Sequence, residues 1–288
     1  MVVSRKYQTL DLALKHILEG FKGLRSKKPF LVGISGAQGS GKTTLTRELQ
    51  NQLSQPPHNL RVASFSLDDF YLSRDEQANL NQLNHGNRLL EFRGNPGTHD
   101  LNLLQQTLDQ LGGSNPGTVS IPTYNKIAFC GLGDRNPQHL WTKVQLPIDI
   151  ILFEGWMLGF QPLSSLALSE MLEKDYAFEN HTSCFRNYPS GDVSCMNKKL
   201  ASYSQLWAQL STMVMLYPEK LEYIYSWRLE QEPKGGLSSD QVRDFVDRFM
   251  PAYELYLKDV CERKGGLLKI VLGSSRNVKY VGYPEFTK

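Results

Sequence analysis

The chain has 288 residues, of which 40% are hydrophobic and 21% charged, and its formal net charge is +3. This composition predicts an ordinary soluble core. The net charge is too small to indicate binding to nucleic acid or to a membrane surface. It does not exclude an anionic small-molecule ligand, because such a ligand needs only a local cluster of basic side chains.

The segment 1–20 has the apolar periodicity of a helix and contains acidic residues, so it resembles neither a secretory signal nor a transit peptide. No apolar run approaches membrane-spanning length. The four cysteines have no metal-site spacing, which favours reduced thiols, with a disulfide between Cys184 and Cys195 as the alternative. We therefore expect a soluble, cytoplasmic protein.

Apolar runs and helical periodicities alternate along the chain. Five runs are predicted as strands, at 29–35, 61–67, 148–153, 221–226 and 267–273, and five segments as helices, at 10–22, 42–54, 100–111, 197–216 and 239–262. Most of the runs are apolar on both faces, which is typical of a helix-covered parallel sheet. The alternation predicts a single α/β domain over 1–288, in which ligands bind at the carboxyl ends of the strands.

A glycine-rich loop follows the first predicted strand. Its sequence matches G-x-x-x-x-G-K-[ST] between that strand and a predicted helix. Backbone N–H groups of such a loop bind phosphates at a helix N-terminus. Lys42 would reach the β- and γ-phosphates of a nucleotide, and the Thr43 hydroxyl would contact Mg²⁺. The predicted nucleotide-binding residues are Gly36, Ala37, Gln38, Gly39, Ser40, Gly41, Lys42, Thr43 and Thr44. The alternative is an incidental Gly-rich turn.

Two acidic residues, Asp68 and Asp69, follow the second predicted strand, and Tyr71 lies just beyond them. Carboxylates at this position could contact Mg²⁺ or accept the proton of a substrate hydroxyl, as phosphoryl transfer to an alcohol requires. A helix N-cap followed by a solvated acid is the alternative. The third predicted strand ends at Glu154, which we predict to support the metal rather than to face solvent.

Two polar loops, 91–100 and 121–126, contain closely spaced polar side chains. Arg93 and Lys126 could pair with a substrate carboxylate or phosphate, and Tyr124 and Asn125 could orient that substrate. Taken alone, both loops would be ordinary surface loops. The stretch 112–147 is predicted to be irregular but functional, and 161–196 is predicted to be an insertion without assigned chemistry.

A basic set follows the fourth predicted strand. Arg228 precedes an exposed Gly- and Pro-containing segment, and Arg243 and Arg248 lie on the next predicted helix. A lid near 229–250 could bring these arginines to the transferred phosphoryl group, with Arg228 the best candidate. The alternative for Arg243 and Arg248 is the solvated face of an amphipathic helix.

The motifs SGAQGSGKTT, SLDDFY, EFRGNPGTHD, IPTYNK and FEGWMLGF resemble those of the P-loop kinases related to uridine kinase, phosphoribulokinase and bacterial pantothenate kinase. Among these groups the chain resembles plant-type D-glycerate 3-kinase more closely, and it looks like a fungal member. The resemblance implies a nucleoside-monophosphate-kinase-like P-loop fold with about five parallel strands and helices on both faces. It also implies Asp68 as catalytic base, Glu154 as the acid supporting the metal, and Tyr124 in the substrate loop.

These observations predict an ATP- and Mg²⁺-dependent kinase that phosphorylates a small hydroxylated molecule, with glycerate as the leading candidate. The predicted catalytic residues are Asp68, Lys42 and Arg228; the predicted metal ligands are Thr43 and Glu154; the predicted substrate residues are Asp69, Tyr71, Arg93, Tyr124, Asn125 and Lys126. A nucleotide-binding scaffold is the alternative, although it would not need a base. A P-loop ATPase acting on protein or nucleic acid is disfavoured because no basic stripe is present.

Overall fold

A six-stranded sheet forms the centre of the molecule. The computed structural model describes residues 5–23, 28–173, 183–232, 236–260 and 266–282. In chain order the described strands are β1 (Phe30–Gly36), β2 (Val62–Ser66), β3 (Gly117–Ile121), β4 (Tyr124–Asn125), β5 (Asp134–Arg135), β6 (Thr142–Leu146), β7 (Ile150–Gly155), β8 (Thr212–Pro218), β9 (Leu267–Leu272) and β10 (Val278–Gly282).

The strand order in the main sheet is β10-β9-β8-β1-β7-β2. All neighbours pair in parallel except β10, which pairs with β9 in the antiparallel sense. Every residue of β1 and β7 is buried, as expected for central strands of a parallel sheet. The predicted α/β fold with a parallel sheet is therefore confirmed, with one antiparallel strand added at its edge.

Ten α-helices connect or flank these strands in the described chain: α1 (Arg5–Lys22), α2 (Lys42–Ser54), α3 (Arg74–Leu83), α4 (Leu101–Leu111), α5 (Ser165–Glu173), α6 (Ser190–Leu200), α7 (Ser204–Ala208), α8 (Tyr223–Leu229), α9 (Ser239–Asp247) and α10 (Met250–Val260). Helix α2 packs on β1, β2 and β7, and α1 packs on α2 and β8. The glycine-rich loop is therefore held between a fully buried strand and a helix that packs on three strands.

Four predicted elements are wrong in detail. The helix predicted over 197–216 is three short helical pieces followed by β8, and the strand predicted over 221–226 belongs to the start of α8. The helix predicted over 239–262 is divided into α9 and α10. The stretch 112–147 is not irregular, because β3 pairs with β6 and β4 with β5 in two small antiparallel sheets. Short apolar runs are ambiguous between helix and strand, and tertiary contacts decide between them.

Part of the predicted 161–196 insertion contributes to the core. Residues 174–182 lie outside the described residues, whereas Phe185, Val193 and Met196 are fully buried. The Glu254 carboxylate accepts hydrogen bonds from the backbone N–H groups of Cys184 and Phe185, at 2.8 and 2.9 Å. This segment is thus integrated into the domain. Cys184 and Cys195 are free thiols, so the alternative of a disulfide between them is wrong.

Candidate active site

The glycine-rich loop connects β1 to α2, and within it the Gln38 N–H donates to the Tyr253 hydroxyl at 3.3 Å and the Ser40 N–H to the Ala37 carbonyl at 3.1 Å. Gly39 and Gly41 have φ of 75° and 96°, a left-handed conformation that glycine adopts without strain. Gly41 is the N-cap of α2 and no side chain caps this helix end. The Ser40 hydroxyl is buried and has no hydrogen-bond partner within the described chain. A phosphate group fits this hydroxyl and the positive end of the α2 dipole.

Lys42 and Thr43 begin α2 and face the end of β7. The Lys42 ammonium donates to the Ala37 carbonyl at 3.1 Å, and burial lowers its pKa. The Thr43 hydroxyl donates to the two Glu154 oxygens at 2.9 and 3.1 Å. Glu154 is buried, and this raises the pKa of its carboxyl although Lys42 and Thr43 oppose the shift. An acid and a hydroxyl predicted from separate motifs therefore lie in direct contact.

The Thr43 and Glu154 oxygens fit a magnesium ion chemically. Within the described ranges, no cluster of three or more His, Cys, Asp or Glu side chains could enclose a metal. Mg²⁺ does not require such a cage, because it usually keeps several waters and binds one or two protein oxygens together with substrate phosphates. Thr43 and Glu154 would hold the ion at the point where the loop meets the β- and γ-phosphates.

Asp68 lies in a short 3-10 helix, Leu67–Phe70, that continues β2. Its Oδ1 accepts a hydrogen bond from the Tyr71 hydroxyl at 2.9 Å, and its Oδ2 pairs with the Lys126 ammonium at 2.5 Å. Burial raises the pKa of Asp68, but Lys126 and Tyr71 outweigh that effect and hold it at about 2. In the pairing of β2 with β7, Ser66 lies opposite Glu154, the acid predicted to support the metal. Asp68 comes two residues after Ser66, so it lies near the same end of the sheet.

Asp69 has a local structural contact. Its Oδ2 accepts the backbone N–H of Ser66 at 2.9 Å, and the Ser66 hydroxyl accepts the backbone N–H of Asp68 in return. This capping arrangement fixes the turn that presents Asp68. Burial raises the pKa of Asp69 to about 6. The substrate role predicted for Asp69 stays a prediction, while its contacts stabilise the turn.

Arg93 organises the loop that carries Lys126. Its guanidinium donates to the carbonyls of Gly131, Leu132 and Lys126 and lies 5.5 Å from the centroid of the Tyr124 ring. The Asn125 side chain accepts the backbone N–H groups that follow it in the same loop, each at 3.2 Å. The structure thus brings these predicted substrate residues together around one loop. Whether they contact a substrate stays a prediction.

Arg228 and Arg243 of the predicted lid lie on α8 and α9, which pack against each other, and Arg248 follows the end of α9. Arg228 pairs with Glu232 and its guanidinium carbon lies 4.9 Å from the centroid of the Phe245 ring. Arg243 packs over Tyr225 and Arg248 over Phe92. The exposed Gly- and Pro-containing segment of the predicted lid falls partly on residues 233–235, outside the described residues. The lid stays a prediction.

Two groups near the site were not predicted from the sequence. His99 forms an isolated antiparallel bridge with Tyr71 and stacks on its ring at 4.7 Å, while its Nδ1 lies 2.8 Å from the Tyr203 hydroxyl. Burial lowers the pKa of His99 to about 3, so the imidazole is neutral. His99 lay within the quoted motif RGNPGTHD, but Tyr203 is distant in the chain and gave no signal. Together they hold the Tyr71 ring in place.

Arg276 is the second missed group, and it supports the glycine-rich loop. Its Nε donates to the Gly39 carbonyl at 2.6 Å, and its guanidinium also pairs with Glu230 at 2.5 Å. Trp227 packs against Gly39 and donates through Nε1 to the Ser274 carbonyl at 2.6 Å.

The fold and this site define a P-loop kinase. Residues 31–162 match the phosphoribulokinase / uridine kinase family. An uncharacterized kinase of Schizosaccharomyces pombe is 36% identical over 86% of this chain and 90% of its own length. The chain belongs to this family, and it is an ATP-dependent small-molecule kinase. The resemblance and the enzyme class predicted from the sequence are confirmed.

Two relatives carry a more specific name. The chloroplastic D-glycerate 3-kinase of Arabidopsis thaliana is 36% identical over 82% of this chain and 50% of its own length. The solved structure of D-glycerate 3-kinase from Cryptococcus neoformans superposes with a TM-score of 0.84, at 33% identity over 96% of this chain and 98% of that one. In the part of the chain that the structure describes, no helix is long and apolar enough to cross a membrane.

Proposed function

We propose that this kinase transfers the γ-phosphoryl group of ATP to a hydroxyl of D-glycerate, with Mg²⁺ as cofactor. The observation that carries the proposal is the Asp68 carboxylate, which lies between the Tyr71 hydroxyl at 2.9 Å and the Lys126 ammonium at 2.5 Å. A hydroxy acid requires one group that accepts its hydroxyl proton and another that neutralises its carboxylate. Asp68 and Lys126 are suited to these two tasks.

Asp68 is the proton acceptor of the proposed reaction. The acceptor oxygen forms a bond to the γ-phosphorus while its proton passes to the Asp68 carboxylate. The bond between the γ-phosphorus and the β–γ bridging oxygen breaks, and ADP leaves with that electron pair. Little covalent chemistry falls to the protein in such a transfer, so positioning and electrostatic stabilisation provide most of the catalysis.

Residues 36–44 would bind the phosphate groups of ATP, the phosphoryl donor. The loop N–H groups and Lys42 would bind the phosphate oxygens, and Thr43 and Glu154 would hold Mg²⁺. When bound, the ion would neutralise charge on the phosphate oxygens. The unpaired Ser40 hydroxyl and the uncapped start of α2 support this assignment, because both are polar groups that a phosphate would satisfy.

The acceptor side would be formed by the loops around Asp68. Lys126 would meet the carboxylate of D-glycerate, while Arg93 and Tyr124 would shape the pocket and Asn125 would hold the loop. Arg228, together with Arg243, would approach the transferred phosphoryl group from the proposed lid. The names of the Arabidopsis and Cryptococcus relatives support D-glycerate as the acceptor.

An acceptor screen tests this proposal. The purified chain is incubated with ATP, Mg²⁺ and either D-glycerate, uridine, pantothenate or ribulose 5-phosphate, and ADP and the phosphorylated product are both measured. We expect turnover with D-glycerate and at least 100-fold lower kcat/KM with the other three. Lys42→Met serves as the control for a contaminating kinase. Turnover with one of the other three acceptors but not with D-glycerate would reject D-glycerate as the substrate. Tight ATP binding without turnover on any acceptor would favour the nucleotide-binding scaffold.

A further inference from the structure

The Asp68 carboxylate is already engaged on both of its oxygens. Oδ1 accepts from Tyr71 and Oδ2 from Lys126, and the second contact, at 2.5 Å, is the shorter. Hydrogen bonds to an ionised group are among the strongest in proteins, and each one makes the carboxylate a poorer acceptor for another proton. In this arrangement each Asp68 oxygen already accepts one hydrogen bond, and a substrate hydroxyl would have to compete with a charged one on Oδ2.

We infer that Lys126 is a latch operated by the substrate: its ammonium covers Asp68 until the carboxylate of an anionic acceptor draws it away, and only then is the base available. This inference rests on the proposed function and adds a reason for acceptor selectivity. A neutral alcohol or a water molecule offers Lys126 no competing negative charge, so Asp68 stays covered. An anionic hydroxy acid both opens the latch and fills the space beside the base.

The Lys126 side chain can move while its backbone stays in place. The Lys126 carbonyl accepts a hydrogen bond from Arg93 at 3.1 Å, and the neighbouring Asn125 is paired with Asp134 across β4 and β5. The Lys126 side chain is 54% exposed, against 26% for Asp68, so part of the lysine stem lies at the surface. A lysine ammonium on a flexible four-carbon stem can exchange one anionic partner for another.

The electrostatic consequence of the exchange favours proton transfer. Burial raises the pKa of Asp68, and the Coulombic attraction and hydrogen bond of Lys126 are the two largest effects that lower it. When Lys126 turns to the substrate carboxylate, the hydrogen bond is lost and the Coulombic attraction weakens. The pKa of Asp68 then rises, and the carboxylate becomes a better acceptor for the substrate proton. The latch would therefore suppress ATP hydrolysis in the absence of an acceptor.

Lys126→Met tests the inference, because it keeps the apolar stem and removes the charge. The first measurement is ATP hydrolysis with Mg²⁺ and no acceptor, in which water attacks the γ-phosphorus, gives its proton to Asp68 and displaces ADP. We expect this rate to rise at least threefold. In the same variant, kcat/KM for D-glycerate should fall at least 100-fold, while the low activity with glycerol, which lacks the carboxylate, should not fall.

Two comparison variants isolate the latch. Lys143→Ala, on the exposed face of β6, should change neither rate. The double variant Lys126→Met with Asp68→Asn should lose the added hydrolysis. An unchanged hydrolysis rate in a folded Lys126→Met protein, or added hydrolysis that survives Asp68→Asn, would overturn the inference. Because hydrolysis needs no acceptor, this result is separate from failure of D-glycerate in the acceptor screen.

Discussion

The proposed donor and acceptor halves of the site are built differently. The donor half comes from residues 36–44 at the end of a fully buried strand, with Glu154 from the adjacent strand β7. The acceptor half comes from loops, with Asp68 after β2, Arg93 before α4 and Lys126 at the start of the segment 126–133. That segment exposes Ile127, Phe129 and Leu132 to solvent.

This difference separates phosphate binding by fixed backbone groups from acceptor recognition by adjustable side chains. A loop fixed between a buried strand and a helix N-terminus can bind only what matches its N–H groups, which is phosphate. Side chains on exposed loops can change partner without disturbing the core. We therefore expect substitutions in the donor half to affect nucleotide binding and folding, and those in the acceptor half to affect turnover and acceptor choice.

Asp68→Asn should have the largest effect on turnover. The amide keeps the size of the side chain but cannot accept a proton. The kcat with the acceptor that the screen identifies should therefore fall about 1000-fold. The Kd for ATP, measured by calorimetry, should change less than twofold because the donor half is intact. Asp75→Asn, on the exposed face of α3, is the matched control. Wild-type turnover by Asp68→Asn would show that the base is assigned to the wrong residue.

Gly39→Ala tests the donor half through stability. Gly39 has φ of 75°, and a Cβ there would lie 2.6–2.7 Å from atoms of Trp227, including its backbone. We expect the free energy of unfolding to fall by about 3 kcal/mol from combined strain and overlap. Gly41→Ala is the matched control, since its φ is 96° but no atom lies within 4 Å of the added Cβ. Urea titrations of the nucleotide-free proteins measure both free energies of unfolding. An equal decrease in Gly39→Ala and Gly41→Ala would argue against the Trp227 contact as the cause.

The donor half could be predicted almost completely from the sequence because its residues are contiguous and its chemistry follows from backbone geometry. Asp68, Glu154 and Lys126 could be proposed because each follows a strand or lies in a short polar motif. Arg276 and Tyr203 could not, since only the folded chain brings them to Gly39 and His99. The strand β8 was missed because its apolar run continues directly from a helical periodicity, and pairing with β1 and β9 decided its conformation.

Arg276→Ala should have a smaller effect, confined to the nucleotide. The charged hydrogen bond to the Gly39 carbonyl is lost, which at about 1.5 kcal/mol corresponds to roughly a tenfold increase in KM for ATP. KM for the acceptor should change less than twofold. Glu230→Ala removes the exposed ion-pair partner of Arg276 and leaves the loop contact, so it should have little effect. Equal increases in KM for ATP and for the acceptor would contradict a role limited to the donor half.

Tyr71→Phe should have the smallest effect and the clearest signature. The substitution keeps the ring stacked on His99 but removes one hydrogen bond to Asp68 Oδ1. Because that bond stabilises the ionised carboxylate, its loss, at about 1 kcal/mol, makes Asp68 a better proton acceptor and should raise kcat by at most roughly fivefold. That hydrogen bond lowers the pKa of Asp68, so its loss should raise the pKa and move the acidic limb of the kcat/KM profile to higher pH. Tyr280→Phe, on an exposed ring, should move neither quantity. A decrease in kcat without a shift of the acidic limb would mean that Tyr71 only packs beside the base.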